Sequence, residues 1–264
     1  MNFNKKELLE VAINAANKAG VLIKSRFGGE MDIKFKEGVY NLVTEMDIVS
    51  ENLIKEIINT KYPNSKFLAE ESGGVSDLKD LTWVIDPIDG TVNYAHGIPI
   101  YSISIAAVND NKSIVGVVYN PETNEMFTAI QGEGAYLNGN RLSVSNSDNI
   151  NNSVLVTGFP YNISDNPYNC IGALNHMLKL GVPIRRLGSA ALDLAYTAAG
   201  RFEAYWEVTL NEWDVAAGIL LVIEAGGVVE SYSNESNDNF IITDKLLASN
   251  GKVNNQMKEI LRLY

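Results

Sequence analysis

The feature that most restricts the fold is a change of rhythm along the chain. Apolar residues at Leu8, Ala12, Ala15, Ala19 and Leu22 recur on one helical face, so Lys5 to Arg26 reads as an amphipathic helix stopped by Gly28-Gly29. A second helix follows Asp47, with Ile48, Leu53, Ile54, Ile57 and Ile58 turned inward and Tyr62-Pro63 ending it. Strand-like runs come next: Phe67 to Ala69, Trp83 to Ile85, Ser102 to Val108, Ile114 to Tyr119 and Met126 to Ile130, parted by turns such as Asn109-Asp110-Asn111. Asn138-Gly139-Asn140 and the polar stretch Ser143 to Asn152 mark an internal boundary. Beyond it strands and helices alternate: Val154 to Thr157, a helix near Asn166 to Leu180, a helix Ala190 to Ala199, then Phe202 to Trp206, a helix Val215 to Ala225, and a last helix from about Lys252. Helices before an antiparallel-looking sheet, then an alternating part, predict layered sheets and helices. The expected organisation is one domain over 1–264, with subregions 1–145 and 146–264.

Charge and cysteine content narrow the function. The formal charge is −11, from 32 acidic and 21 basic residues, which argues against nucleic acid or an anionic membrane as the main partner. The longest apolar run, Ile219 to Ile223, is far short of the roughly 20 residues that span a bilayer. No apolar core of a signal peptide is visible near the start, so the expected compartment is the cytoplasm. A single cysteine, Cys170, excludes an internal disulfide framework, and two histidines are too few for a histidine-built zinc site.

Four segments place acids beside turn chemistry: Asn41 to Asp47, Glu70-Glu71 before Ser72-Gly73-Gly74, Asp86-Pro87-Ile88-Asp89-Gly90-Thr91, and Trp213-Asp214 before Val215-Ala216-Ala217-Gly218. An oxygen-only donor set suits magnesium or manganese better than zinc. Asp86 closes an apolar strand, Pro87 fixes the turn, and Asp89 brings a second carboxylate back to the same point. Taken singly, each segment has an ordinary structural reading. Asp47 or Asp214 alone is an N-cap, Asp89-Gly90 a turn, Glu70-Glu71 a solvated pair. The Asp86 hexapeptide resists that treatment.

These motifs, in this order and spacing, resemble the inositol monophosphatase family within the lithium-sensitive magnesium phosphatases, over nearly the whole chain. The resemblance implies a layered α/β/α/β/α sandwich, a homodimer, and Mg2+, two or three per site, with Mn2+ as a substitute. Glu70, Asp86 and the Ile88 carbonyl would hold one ion, Asp86, Asp89 and Asp214 a second, with a third near Glu70. Asp47 and Thr91, with Glu70, would orient and deprotonate the attacking water, and the Gly90 and Thr91 amides would contact the phosphate. Gly188, Ser189, Ala190, Glu207 and Asp214 would face the rest of the substrate, and Lys36 would sit near a loop over the metals. Alone, Ser189 reads equally well as a helix N-cap. The implied reaction is hydrolysis of inositol 1-phosphate or a related sugar or polyol phosphate. Fructose 1,6-bisphosphate, histidinol phosphate, NADP, a 3′-phosphonucleotide, or a regulatory binding role on the same fold are the alternatives. The departures are Thr209, where many relatives have Gly, and Asn211, where many have His, Lys or Arg, with Glu212 adding a further acid.

Overall fold

The computed structural model of the chain describes residues 3–29, 33–35, 42–75, 77–233 and 240–264. It begins with α1 (Lys5–Lys24), a short antiparallel pair β1 (Ile33–Phe35) and β2 (Leu42–Thr44), and α2 (Glu45–Lys61). Next come β3 (Lys66–Ala69), β4 (Gly73–Gly74), β5 (Thr82–Asp89), the short α3 (Thr91–Ala95) and β6 (Ser102–Asn109). The hairpins continue through β7 (Lys112–Asn120), β8 (Glu125–Ile130), β9 (Gly134–Leu137) and β10 (Asn140–Arg141). The alternating part holds β11 (Leu155–Thr157), α4 (Cys170–Lys179), β12 (Ile184–Arg185), α5 (Ala190–Ala198) and β13 (Ala204–Glu207). It closes with α6 (Glu212–Glu224), β14 (Val228–Ser231), β15 (Leu246–Ser249) and α7 (Asn254–Leu261).

Besides the β1–β2 pair, the described residues form two large sheets and three helical layers. The larger sheet has the order β10-β9-β8-β7-β6-β5-β3-β4, antiparallel except where β3 runs parallel to β5. On one face lie α1 and α2, whose Leu8, Ala12, Ile54 and Ile58 are fully buried against Trp83, Ile85, Ile103 and Val117. The other face carries α5 and α6, which also cover one face of the second sheet, ordered β12-β11-β13-β15-β14. Met177 of α4 and Met257 and Leu261 of α7 seal its far face against Leu155, Ala204 and Leu247. The layering is α/β/α/β/α. The central helices are apolar nearly all round, as helices between two sheets must be; in α6, Val215 to Val222 are all buried.

The boundaries that differ from the sequence reading have local causes. The helix predicted from Asn166 starts only at Cys170, because Asn166, Tyr168 and Asn169 take left-handed φ values of 49°, 49° and 48° and break the run into short 3-10 turns. The strands β1, β2, β4, β9, β10, β12, β14 and β15 were not visible in the sequence pattern. Three of them span only two residues, and β15 reads Leu-Leu-Ala-Ser, an apolar run with no alternation.

The contact between α6 and the larger sheet is unusually close. Ser113 Oγ donates to the Ala216 carbonyl at 2.7 Å, and a Cβ on Gly116 would stand 2.9 Å from the Ala217 carbonyl oxygen. Backbone therefore meets backbone, and a methyl group has no flexible neighbour to displace. Gly116→Ala is expected to cost about 1–3 kcal/mol of stability, read from urea unfolding; an unchanged midpoint would show that α6 can lift off β7 freely.

Candidate metal centre

The site is organised by the end of β5. Its residues Thr82 to Asp89 are all buried, and its pairing with β6 slips between Asp86, opposite Ser104, and Asp89, opposite Ser102. This irregularity brings two acids, spaced three apart, to the same end of the strand. Asp86 Oδ1 accepts from the Ile88 amide at 3.0 Å, which closes the turn around Pro87, and Ser50 of α2 donates to the Pro87 carbonyl at 3.2 Å. Since β3 runs parallel to β5, with Ala69 opposite Ile85, Glu70 emerges at the same edge as Asp86. The loop after it is anchored where the Glu71 amide donates to Glu51, itself ion-paired with Lys55 at 2.9 Å.

Asp47 and Asp214 reach the site from two helix starts. The sequence suggested that each was an N-cap, or stood just ahead of its helix. Instead, each is the third residue of its helix, closing a capping box with the residue that does cap it. Thr44 donates to Asp47 Oδ2 through its amide, at 2.7 Å, and through its hydroxyl, at 2.6 Å. The Asn211 amide donates to Asp214 Oδ2 at 2.7 Å. Ser104 Oγ binds the Trp213 carbonyl at 3.2 Å, fixing the start of α6 over β6. As a result, oxygens of Asp86, Asp89 and Asp214 all lie within 4.8 Å of one another.

So many carboxylates in one place repel. Burial first of all, then Glu70, Asp89 and Asp214, push Asp86 well above the ordinary carboxylate range. Burial and then Asp89 do the same to Asp214. Asp89 rises to about 6 through burial, although Ser189 Oγ, at 2.5 Å, and the Ala191 amide, at 2.8 Å, donate to its Oδ2 and hold it down. Asp47 also rises to about 6, chiefly through burial, against the two Thr44 hydrogen bonds. Thr91 Oγ1 lies 3.0 Å from Asp47 Oδ1 and 2.9 Å from the Ile88 carbonyl, and its single proton can serve only one of them at a time. A hard divalent cation fits this donor set. It supplies the missing positive charge and accepts only oxygen ligands, which is what Asp86, Asp89 and Asp214 offer.

The residues expected to face the substrate lie beside this cluster. Ser189 does cap α5, accepting from the Leu192 amide at 3.4 Å, and at the same time donates to Asp89. The N-cap reading of Ser189 therefore holds, and its hydroxyl proton ties the start of α5 to Asp89. Gly90 has φ 92° and Gly188 φ 86°, and a Cβ on Gly90 would stand 3.0 Å from the Gly188 carbonyl oxygen. Glu207 is buried at the end of β13, where Tyr205 donates to its Oε2 at 2.6 Å; burial lifts it to about 7 against the help of Tyr205 and Arg186. Several residues around the site had no sequence signal: Ser102, Tyr205 and Arg186. Lys36 and Asn41 lie outside the described residues.

The departures acquire a structural meaning. Asn211 is the N-cap of α6 and also points its amide at Asp214 Oδ2, 3.3 Å away. Thr209, where many relatives have glycine, sits at φ 58°, a region a β-branched residue rarely adopts. The cation felt by Glu207 is Arg186, from the strand end before α5.

Two expectations follow. Asp89 has its folded-state pKa raised, so its contribution to stability is fully present below its ordinary value of 3.8 and is lost as pH rises through about 6. In chelator, Asp89→Asn should therefore gain melting temperature over the unmodified protein as pH goes from about 4 to about 7, and a divalent cation should reverse that order. Identical behaviour with and without the cation would remove the metal assignment. Thr209→Gly should raise stability by about 1 kcal/mol in denaturant unfolding, since it relieves the left-handed strain; a loss would show that the turn tolerates threonine without cost.

The chain matches the family profile described as "Inositol monophosphatase family" over residues 4–262. It is 41% identical over 257 residues to the protein named Inositol-1-monophosphatase of Synechocystis sp., covering 96% of this chain and 88% of that one. It is 40% identical over 256 residues to the protein named Nus factor SuhB of Pasteurella multocida, covering 96% and 94%. Among solved structures, the Thermotoga maritima IMPase superposes with a TM-score of 0.88 at 33% identity, covering 97% of each chain. The extragenic suppressor protein suhB of Bartonella henselae superposes with a TM-score of 0.89 at 35% identity, covering 97% and 98%.

Proposed function

We infer the activity from one premise: the chain belongs to the inositol monophosphatase family, and it hydrolyses phosphate monoesters. The observation that carries the reading is the convergence of Asp86, Asp89 and Asp214 within 4.8 Å. The cation proposed for it is Mg2+. Glu70, Asp86 and the Ile88 carbonyl would hold one ion, Asp86, Asp89 and Asp214 another, and Glu70 would help to hold a third. When bound, such ions neutralise charge on the phosphoryl group and acidify the water they hold.

The rest is the work of this chain's own side chains. With Asp47 ionised, Thr91 Oγ1 donates to Asp47 Oδ1 and its lone pairs are free to accept from the attacking water. The proton can then pass along water, Thr91 and Asp47, a direction that a base with a pKa of about 6 supports at neutral pH. Glu70, at the edge beside Asp86, assists in orienting that water. Gly90 and Thr91 offer their amides to the phosphate. Glu207 accepts from ring hydroxyls through Oε1, its Oε2 being held by Tyr205, while Gly188, Ser189, Ala190 and Asp214 line the same side.

The substrate class proposed is inositol 1-phosphate or a related sugar or polyol phosphate. Glu207 supports it, because a carboxylate aimed at a substrate suits neutral hydroxyls and repels a second anionic group. A second reading is a macromolecule-binding role, since several relatives of this identity carry the name Nus factor SuhB rather than an enzyme's name. A homodimer is also proposed; Ile171 and Leu178 on α4, 47% and 55% exposed, are apolar enough to take part. Among the described residues no helix is long and apolar enough to cross a membrane.

The test is phosphate release from inositol 1-phosphate, fructose 1,6-bisphosphate, histidinol phosphate, NADP and 3′-phosphoadenosine 5′-phosphate, with Mg2+ and with EDTA. Turnover should require Mg2+, be inhibited by Li+, favour the polyol phosphate, and fall by at least about 100-fold in Asp89→Asn, the upper end of what loss of a mere supporting contact costs a metal site. Folded protein that binds Mg2+ yet hydrolyses none of the five would favour the binding role.

A further inference from the structure

Two stretches make the site, 86–95 around the metal and phosphate and 187–191 around the proposed ring contacts. They are 100 residues apart in sequence where Asp89 meets Ser189, and they belong to connections of different sheets. One tie between them is already described: Ser189 Oγ and the Ala191 amide donate to Asp89 Oδ2. That tie ends on a carboxylate assigned to the metal.

A second tie is independent of the carboxylates. Asn93, on α3, is only 7% exposed. Its side-chain Nδ2 donates one proton to the Ile100 carbonyl at 2.7 Å and the other to the Leu187 carbonyl at 2.7 Å. Both donors of the amide are therefore used, one on Ile100 in the loop after α3 and one on Leu187 of the second stretch. The backbone is shaped to let the amide in. A Cβ on Gly188 would stand 3.0 Å from Asn93 Nδ2, and a Cβ on Gly90 would stand 3.1 Å from the Ile100 carbonyl oxygen and 3.0 Å from that of Gly188. Both glycines also have φ values that disfavour a side chain, 86° and 92°. The phosphate turn, α3, the 98–100 loop and the start of α5 thus meet around one neutral amide.

We propose that Asn93 is a positioning residue, whose amide sets the register of Gly188-Ser189-Ala190 against Gly90-Thr91 and so governs selection of the substrate ring without touching it. The proposal rests on the reading of 188–190 as the ring-facing segment. Neutrality is what makes an amide fit here. A carboxylate would face two carbonyl oxygens inside an already negative site, and an alanine would leave both carbonyls without their donor. The Asp89 tie must answer to the cation as well, whereas Asn93 holds the segment whether or not the cation is present.

The full-length protein and its Asn93→Ala and Asn93→Asp variants decide the matter by kinetics and by amide hydrogen exchange. With Mg2+, each variant should raise KM for inositol 1-phosphate about tenfold with kcat within about threefold, while p-nitrophenyl phosphate, which carries no ring hydroxyls, keeps its KM within about twofold. Asn93→Asp should be the worse of the two. Amides of residues 187–192 should exchange at least about tenfold faster in Asn93→Ala, those of β6 and β7 unchanged. Equal losses on both substrates would overturn the proposal, because Asn93 would then act on the phosphate turn. So would unchanged exchange at 187–192, whatever the kinetics. Unmodified protein that hydrolyses neither substrate would instead defeat the assigned activity, and exchange alone would still decide whether Asn93 holds the segment.

Discussion

Mutual repulsion among buried acids is the constraint to which the rest of this structure answers. Asp86, Asp89 and Asp214 are brought within 4.8 Å, with Glu70 and Asp47 adding their fields. Burying an uncompensated carboxylate costs several kcal/mol. A chain holding several must draw its stability from elsewhere. Here it comes from three apolar layers, in which α1 and α2, then α5 and α6, then α4 and α7 are packed on the two sheets. The backbone-to-backbone approach of Gly116 to Ala217 shows how tightly the middle layer is drawn in. The acids do not hold the fold together; the fold holds the acids together.

The hydrogen bonds around the cluster distribute that strain unevenly. Asp89 receives two strong donors from the α5 start and Asp47 two from Thr44, and both settle near the same value of about 6. Asp86 receives the Ile88 amide and faces Glu70, Asp89, Asp214 and Asp47, and burial with these charges holds it well above the ordinary range. A cation would relieve this repulsion at Asp86, which suits an acid proposed for both main ions. Asp193 follows the same physics without any such partner. It is buried within α5, both of its carboxylate oxygens lack a hydrogen bond, and burial and Glu207 raise it well above the ordinary range. Burial thus acts in the same direction on Asp193 and on Glu207, raising both.

Much of this was legible in the sequence, and the exceptions have physical reasons. The rhythm of helices, hairpins and alternation gave the layers, because periodicity reports which face is buried. The Asp86 hexapeptide gave two of the three acids that converge, Asp86 and Asp89, because a tight turn brings them back to one point. What was not legible depends on contacts across long stretches of chain. Asn93 looks like any polar residue of a short helix, and nothing local says that its amide reaches Leu187. Tyr205 reads as an ordinary aromatic of a strand, and only the fold shows its hydroxyl meeting Glu207. Thr209 and Asn211 stood out by resemblance alone, and the backbone at φ 58° and the cap on α6 were needed to say what the departures do.

The helix starts show why a structural and a catalytic reading of one aspartate need not compete. A carboxylate has two oxygens. In Asp47 and in Asp214, Oδ2 closes a capping box and fixes the first turn of the helix, which leaves Oδ1 directed by that turn rather than by a flexible chain. Asp47 Oδ1 consequently finds Thr91 at 3.0 Å, and Asp214 brings an oxygen to the Asp86–Asp89 pair. Ser189 divides its hydroxyl in the same manner, its lone pair capping α5 and its proton going to Asp89. A capping box fixes the first turn of a helix, so the second oxygen of each aspartate is placed by backbone geometry. Weighing each acid as either cap or ligand therefore sets a false choice, because the capping geometry is what aims the oxygen.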